Sequence, residues 1–76
     1  MLLDDRANAR VLATIRRRMD SQDITQAKLS ELLGISQPNV SRRISGQVPL
    51  TVPELARIAN VLGCTITELV IAADVA

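Results

Sequence analysis

Apolar residues recur along this chain at every third or fourth position, and that spacing is the period of an α-helix. Val11, Leu12, Ile15 and Met19 form one stripe in a first segment expected to span about Asp4–Met19, with Arg6, Arg10 and Arg17 together on the opposite side. The pattern lapses over Asp20–Ile24, which is polar and reads as a connection. A second helix is expected over Gln26–Leu33, burying Leu29, Leu32 and Leu33, with Thr25 before it as a cap whose hydroxyl accepts a free N–H. Gly34 follows directly, where a left-handed residue ends a helix at little cost.

Only Ile35 separates Gly34 from Ser36, the next cap, and Pro38 then falls in a first turn that suits its fixed φ and missing N–H. Helix, glycine turn and helix within about twenty residues is a helix-turn-helix. The third helix is expected to end at Gly46, with Gly46–Pro49 as a loop. Two matching start signals follow, Thr51-Val52-Pro53-Glu54 and Thr65-Ile66-Thr67-Glu68, each fitting a capping box. They open a fourth helix over about Val52–Leu62, with Leu55, Ile58, Ala59 and Leu62 inward and Gly63 as its stop. A fifth runs over about Ile66–Ala73, with Ile66, Leu69, Val70 and Ala73 on one side. The expected fold is all-α, a bundle of about five short helices in one domain spanning residues 1–76, with no linker or repeat.

Composition narrows the function. A chain of 76 residues buries only about 60% of the surface it exposes when unfolded. It contains no aromatic residue, which argues against RNA or single-strand readers that stack bases on Phe, Tyr or Trp. The single cysteine, Cys64, has no disulfide partner within the chain, and without histidine a zinc site is not expected; Cys64 reads as a small buried hydrophobe. No apolar run reaches membrane length, and the start MLLDDRANAR is acidic where a signal peptide is basic, so a soluble cytoplasmic protein is expected. Net charge is only +1, but eight Lys/Arg face five Asp/Glu through Gly46, and one Arg faces three acids afterwards. The basic half is the candidate anion-facing side. Catalysis finds no support: there is no histidine, no glycine-rich phosphate loop, and the acids are scattered over different helices.

The stretch ISQPNVSRRISG, Ile35–Gly46, carries the most chemistry. At about 100° per residue, Val40 and Ile44 point together into a core, while Pro38, Arg42 and Ser45 point away, flanked by Asn39, Ser41 and Arg43. Gln37 lies nearer the buried side but in the first turn, from which it reaches forward. Short, basic and rich in hydrogen-bonding groups, this face suits the major groove: Arg pairs with guanine, Gln or Asn with adenine, and serines allow close approach.

The segment TQAKLSELLGISQPNVSRRISG, Thr25–Gly46, resembles the helix-turn-helix of the phage lambda repressor and Cro family, also called the XRE family. The matching features are Gln26 opening the second helix, the small Ser30 in its middle, Gly34 in the turn and Val40 in the third helix. LTVPELARIANVLGCTITELV is similar to the family's later helices, so the likeness covers about Ile24–Val70. The resemblance implies that Gln26 bonds a DNA phosphate, that Gln37 and Arg42 touch bases, and that Asn39, Ser41 and Arg43 touch bases or backbone. Together with Thr25, Pro38 and Ser45 these make the candidate DNA-binding set. The chain also departs from the family pattern. Pro38 replaces a base-reading side chain and offers only an apolar contact, as to a thymine methyl. Arg43 stands at a usual core position, Ile44 where an acid is frequent, and Met19 where that acid's arginine partner is frequent. These changes imply a small rotation of the third helix about Val40 and Ile44.

The function expected is sequence-specific binding of double-stranded DNA by a phage-type repressor or Cro-like transcriptional regulator at an operator. Neither a cofactor, a metal nor a small-molecule ligand is expected. Val61, Val70, Ile71 and Val75 exceed what one core needs and are the candidate homodimer surface, unless they simply complete the core. The alternative is an antitoxin-like or recruitment module that keeps the fold and binds protein instead. The chain is also readable as the N-terminal domain of a longer repressor.

Overall fold

The protein folds as five helices in a computed structural model that describes residues 5–75, with side chains from 6 to 71. They are α1 (Asp5–Ser21), α2 (Gln26–Leu33), α3 (Gln37–Ile44), α4 (Val52–Val61) and α5 (Ile66–Val75). The expected helix start at Asp4 and the packing of Ala73 and Val75 lie outside the described residues. α1 packs against α5, α2 against α3 and α4, and α4 against α5.

Local sequence rules account for the ends. The Thr25 hydroxyl accepts the N–H of Lys28 at 3.1 Å, and Ser36 Oγ accepts that of Asn39 at 3.4 Å. Gly34 adopts φ +70°, and its N–H returns to the Ser30 carbonyl at 2.9 Å. At Thr51 the capping box is complete: Glu54 N–H donates to the Thr51 hydroxyl at 3.2 Å, and Thr51 N–H to Glu54 Oε1 at 2.9 Å. The second box is only half formed. Glu68 N–H reaches the Thr65 hydroxyl at 3.0 Å, but the Glu68 carboxylate takes that hydroxyl rather than the Thr65 N–H, and its other oxygen lies 4.0 Å from Arg18.

One core joins the helices. Val11, Leu12, Ile15 and Met19 of α1 meet Leu29 and Leu33 of α2, Val40 and Ile44 of α3, Leu55, Ile58 and Ala59 of α4, Leu62 after it, and Leu69 of α5. Burying each Leu, Ile, Val or Met side chain among them is worth roughly 1.5–3 kcal/mol. Cys64 is half-buried and packs against this cluster, as do Ile66, Val61 and Val70. Leu32, expected inside, is 52% exposed. The reason is geometric: Leu29 and Leu33 lie about 40° apart on α2, whereas Leu32 is displaced by about 60° from one and 100° from the other. A two-turn helix wedged on α3 and α4 buries only that narrow stripe.

Three polar contacts between distant segments complete the frame. Leu50, in the loop before α4, is fully buried, and its N–H donates to Oδ1 of the buried Asn8 at 3.2 Å. Gln22 Nε2 donates to the Leu62 carbonyl at 2.9 Å, and α1 runs two residues past Met19, to Ser21. Arg57 of α4 donates to the Leu33 carbonyl at the end of α2. Among the described residues every buried side-chain nitrogen and oxygen has a partner.

Two measurements check this frame. Asn8→Ala leaves the buried Leu50 N–H unpaired and is expected to cost about 1–3 kcal/mol in urea unfolding. An unchanged midpoint would contradict the role given to Asn8. Glu54 supplies the second. Burial pushes its carboxyl up, but the Thr51 N–H, the Arg43 side chain and the Thr51 side chain outweigh it and hold the group below its ordinary 4.5. A depressed carboxyl stabilises the fold above its unfolded value and loses that contribution as pH falls through the folded value. The stability gap between the wild type and Glu54→Gln is therefore expected to be constant at neutral pH and to close below about pH 4.5. A gap independent of acidification would contradict it.

Candidate nucleic-acid interface

The outer face singled out by the sequence is built on an eight-residue helix, about 12 Å long. Val40 and Ile44, 2% and 3% exposed, anchor α3 as an i, i+4 pair. Gln37, Pro38, Ser41, Arg42 and Ser45 are exposed on the outside, and Asn39 and Arg43 are half-buried along its flank. The basic side chains of the last turn, Arg42 and Arg43, diverge in use.

Arg42 stays on the outer face. Its Nη1 donates to Asn39 Oδ1 at 3.1 Å, one turn earlier. This bond makes the Asn39 amide oxygen the acceptor, so its NH2 keeps both N–H donors, and the remaining Arg42 N–H groups are left for another acceptor. Two such side chains, linked before any ligand arrives, can offer a donor array to guanine or adenine edges. The Ser45 hydroxyl donates to the Arg42 carbonyl at 3.1 Å, and the Val48 N–H meets the same carbonyl at 3.2 Å. Ser45 thus closes the end of α3.

Arg43 turns inward. Its Nε donates to Glu54 of α4, and its Nη1 to the Asn39 carbonyl at 3.1 Å. The Arg43 and Glu54 side chains are each 25% exposed. The sequence places Arg43 with the DNA-facing arginines, but here its guanidinium joins two helices of its own fold. The cause is Glu54, eleven residues away on another helix, which no local pattern couples to it.

α2 contributes a second surface. Thr25 is exposed, with its hydroxyl engaged as the cap. Gln26 is half-buried beside a hollow lined by Arg16, Met19, Asp20, Ile24 and Ile44. Arg16, exposed on α1, was not among the residues the sequence singled out. Its signal is present in hindsight: it follows Ile15 and precedes Met19 by three, so it borders the buried stripe where α1 passes the end of α3. The charge of Lys28 is partly offset by Glu31 at 3.7 Å. No group of three metal-ligating side chains occurs among the described residues, and none of their helices is long and apolar enough to cross a membrane.

The arrangement is a half-exposed amide at the start of α2, a donor-rich outer face on α3, and a one-residue link, Ile35, between the glycine and serine of the turn. Residues 15–69, well over half of the chain, match the model of a helix-turn-helix family. No curated protein and no solved structure gives a significant match. The chain belongs to the helix-turn-helix family of the XRE/Cro–C1 type, whose domains bind DNA and are not enzymes.

Proposed function

We propose that the protein is a sequence-specific transcriptional regulator, a phage-type repressor or Cro-like protein, that places α3 in the major groove of an operator in the bacterial cytoplasm. The observation that carries this reading is the exposed Arg42, joined at 3.1 Å to Asn39 on the flank of a helix whose other side is anchored by Val40 and Ile44. Gln37, Ser41 and Ser45 stand beside that pair, and Pro38 adds an apolar contact. Gln26, with Thr25 beside it, takes a phosphate, and Arg16 is placed to take another. The contact set is small. A helix of about 12 Å spans three or four base pairs, too few for an operator, so a second copy reading a second half-site follows. Ile71 of α5, 56% exposed, supports a dimer through the C-terminal helices, whereas Val61 and Val70 pack against the core.

Selection of bound duplexes from a random library, at moderate salt and repeated with Arg42→Ala, tests the proposal. The expected result is a palindromic motif in which Arg42→Ala relaxes one position and costs about 1–3 kcal/mol. A lone half-site would contradict the dimer but keep the regulator. No enrichment at any salt would overturn the regulator and leave the protein-interaction module.

A further inference from the structure

α3 is held in the core by two side chains, Val40 and Ile44, on nearly one line along the helix. Two points on a line restrain rotation about it only weakly, and the caps at the two ends of α3 lie close to its axis. A rotation of about 10° moves a side-chain tip, at a radius of roughly 5–6 Å, by about 1 Å. Base readout tolerates little of this, since productive geometry holds within about 0.5 Å. A third, off-axis fixed point is needed, and the polar groups between α3 and α4 supply one. Thr51 N–H donates to one Glu54 oxygen at 2.9 Å, and the other oxygen accepts from Arg43 Nε. Arg43 Nη1 donates to the Asn39 carbonyl at 3.1 Å, and Asn39 Oδ1 accepts from Arg42 at 3.1 Å. The contacts lead from the first turn of α4 through Arg43 to the backbone of Asn39, whose side chain in turn meets Arg42, the outermost arginine of α3.

We propose that Glu54 and Arg43 are positioning residues for DNA recognition, a clamp from the α4 capping box that fixes the rotation of α3 and the placement of Asn39 and Arg42. The proposal rests on the DNA-reading role of α3 given above. Arg43 then governs discrimination between sequences without touching DNA. A guanidinium suits the task because its planar fork bonds the carboxylate and the carbonyl together, whereas a lysine ammonium lacks that fixed geometry.

The test measures binding of the full chain to its selected operator and to a scrambled duplex of equal length, across a salt series. The proteins are the wild type, Glu54→Gln, Arg43→Met and the double variant. Glutamine still fits a capping box, so the start of α4 is kept. The readout is the ratio of operator to scrambled affinity, which partial unfolding does not alter because both duplexes bind the same folded molecules. The clamp predicts that each single variant lowers this ratio about tenfold, that the double variant lowers it no further, and that binding to scrambled DNA keeps its strength and salt slope. If Arg43 instead contacts a phosphate, Arg43→Met weakens both duplexes alike and reduces the salt slope by about one, which overturns the clamp. An unchanged ratio in Glu54→Gln also overturns it. A wild type that discriminates no sequence overturns the DNA-reading role itself, and the clamp with it.

Discussion

The structure depends on how a two-turn helix with two buried side chains is kept in one orientation. Val40 and Ile44 give α3 its depth in the core, and hydrophobic contact is non-directional, so they do not fix its rotation. Directional contacts do. The Ser36 cap holds the start of α3, the Val48 N–H and the Ser45 hydroxyl close on the Arg42 carbonyl at its end, and Arg43 ties its flank to Glu54. With so small a core, these polar links take over orientation that a larger domain obtains from packing.

The same economy appears elsewhere. Asn8 holds the loop at Leu50, Gln22 holds the Leu62 carbonyl, and Arg57 holds the end of α2 at Leu33. Each is a side-chain donor or acceptor meeting a backbone group where regular structure stops. Such groups must find partners when shielded from water, and here they do so by joining elements far apart in sequence. Gly34 serves the same economy in the turn: at φ +70° it reverses the chain with one intervening residue before Ser36, which lets α2 pack directly on α3.

What was legible in the sequence obeys local rules. The caps at Thr25, Ser36 and Thr51, the stop at Gly34, Pro38 in the first turn and the Val40–Ile44 pair all depend on residues within about one turn of each other. They suffice for the helix-turn-helix and for the family resemblance. What was not legible is non-local. Leu50 lies on no helical period, and its backbone N–H is paired by Asn8, 42 residues away. Arg43 looks like its neighbour Arg42 until Glu54 is seen across the α3–α4 gap. Leu32 looks like Leu33 until the width of the α2 contact is known. At Thr65 the local pattern is right but Glu68 also faces Arg18 of α1, and the box stays half formed.

Function depends on which surface meets DNA. The most direct measurement is a titration of isotope-labelled protein with the selected duplex, following backbone amides and arginine Nε–H signals by NMR. The account predicts that perturbations gather at Arg16, at Gln26 and along 37–45, while the Arg43 Nε–H keeps the signature of its bond to Glu54 in the complex. Perturbations confined to α5 around Ile71, with α3 silent, would contradict it.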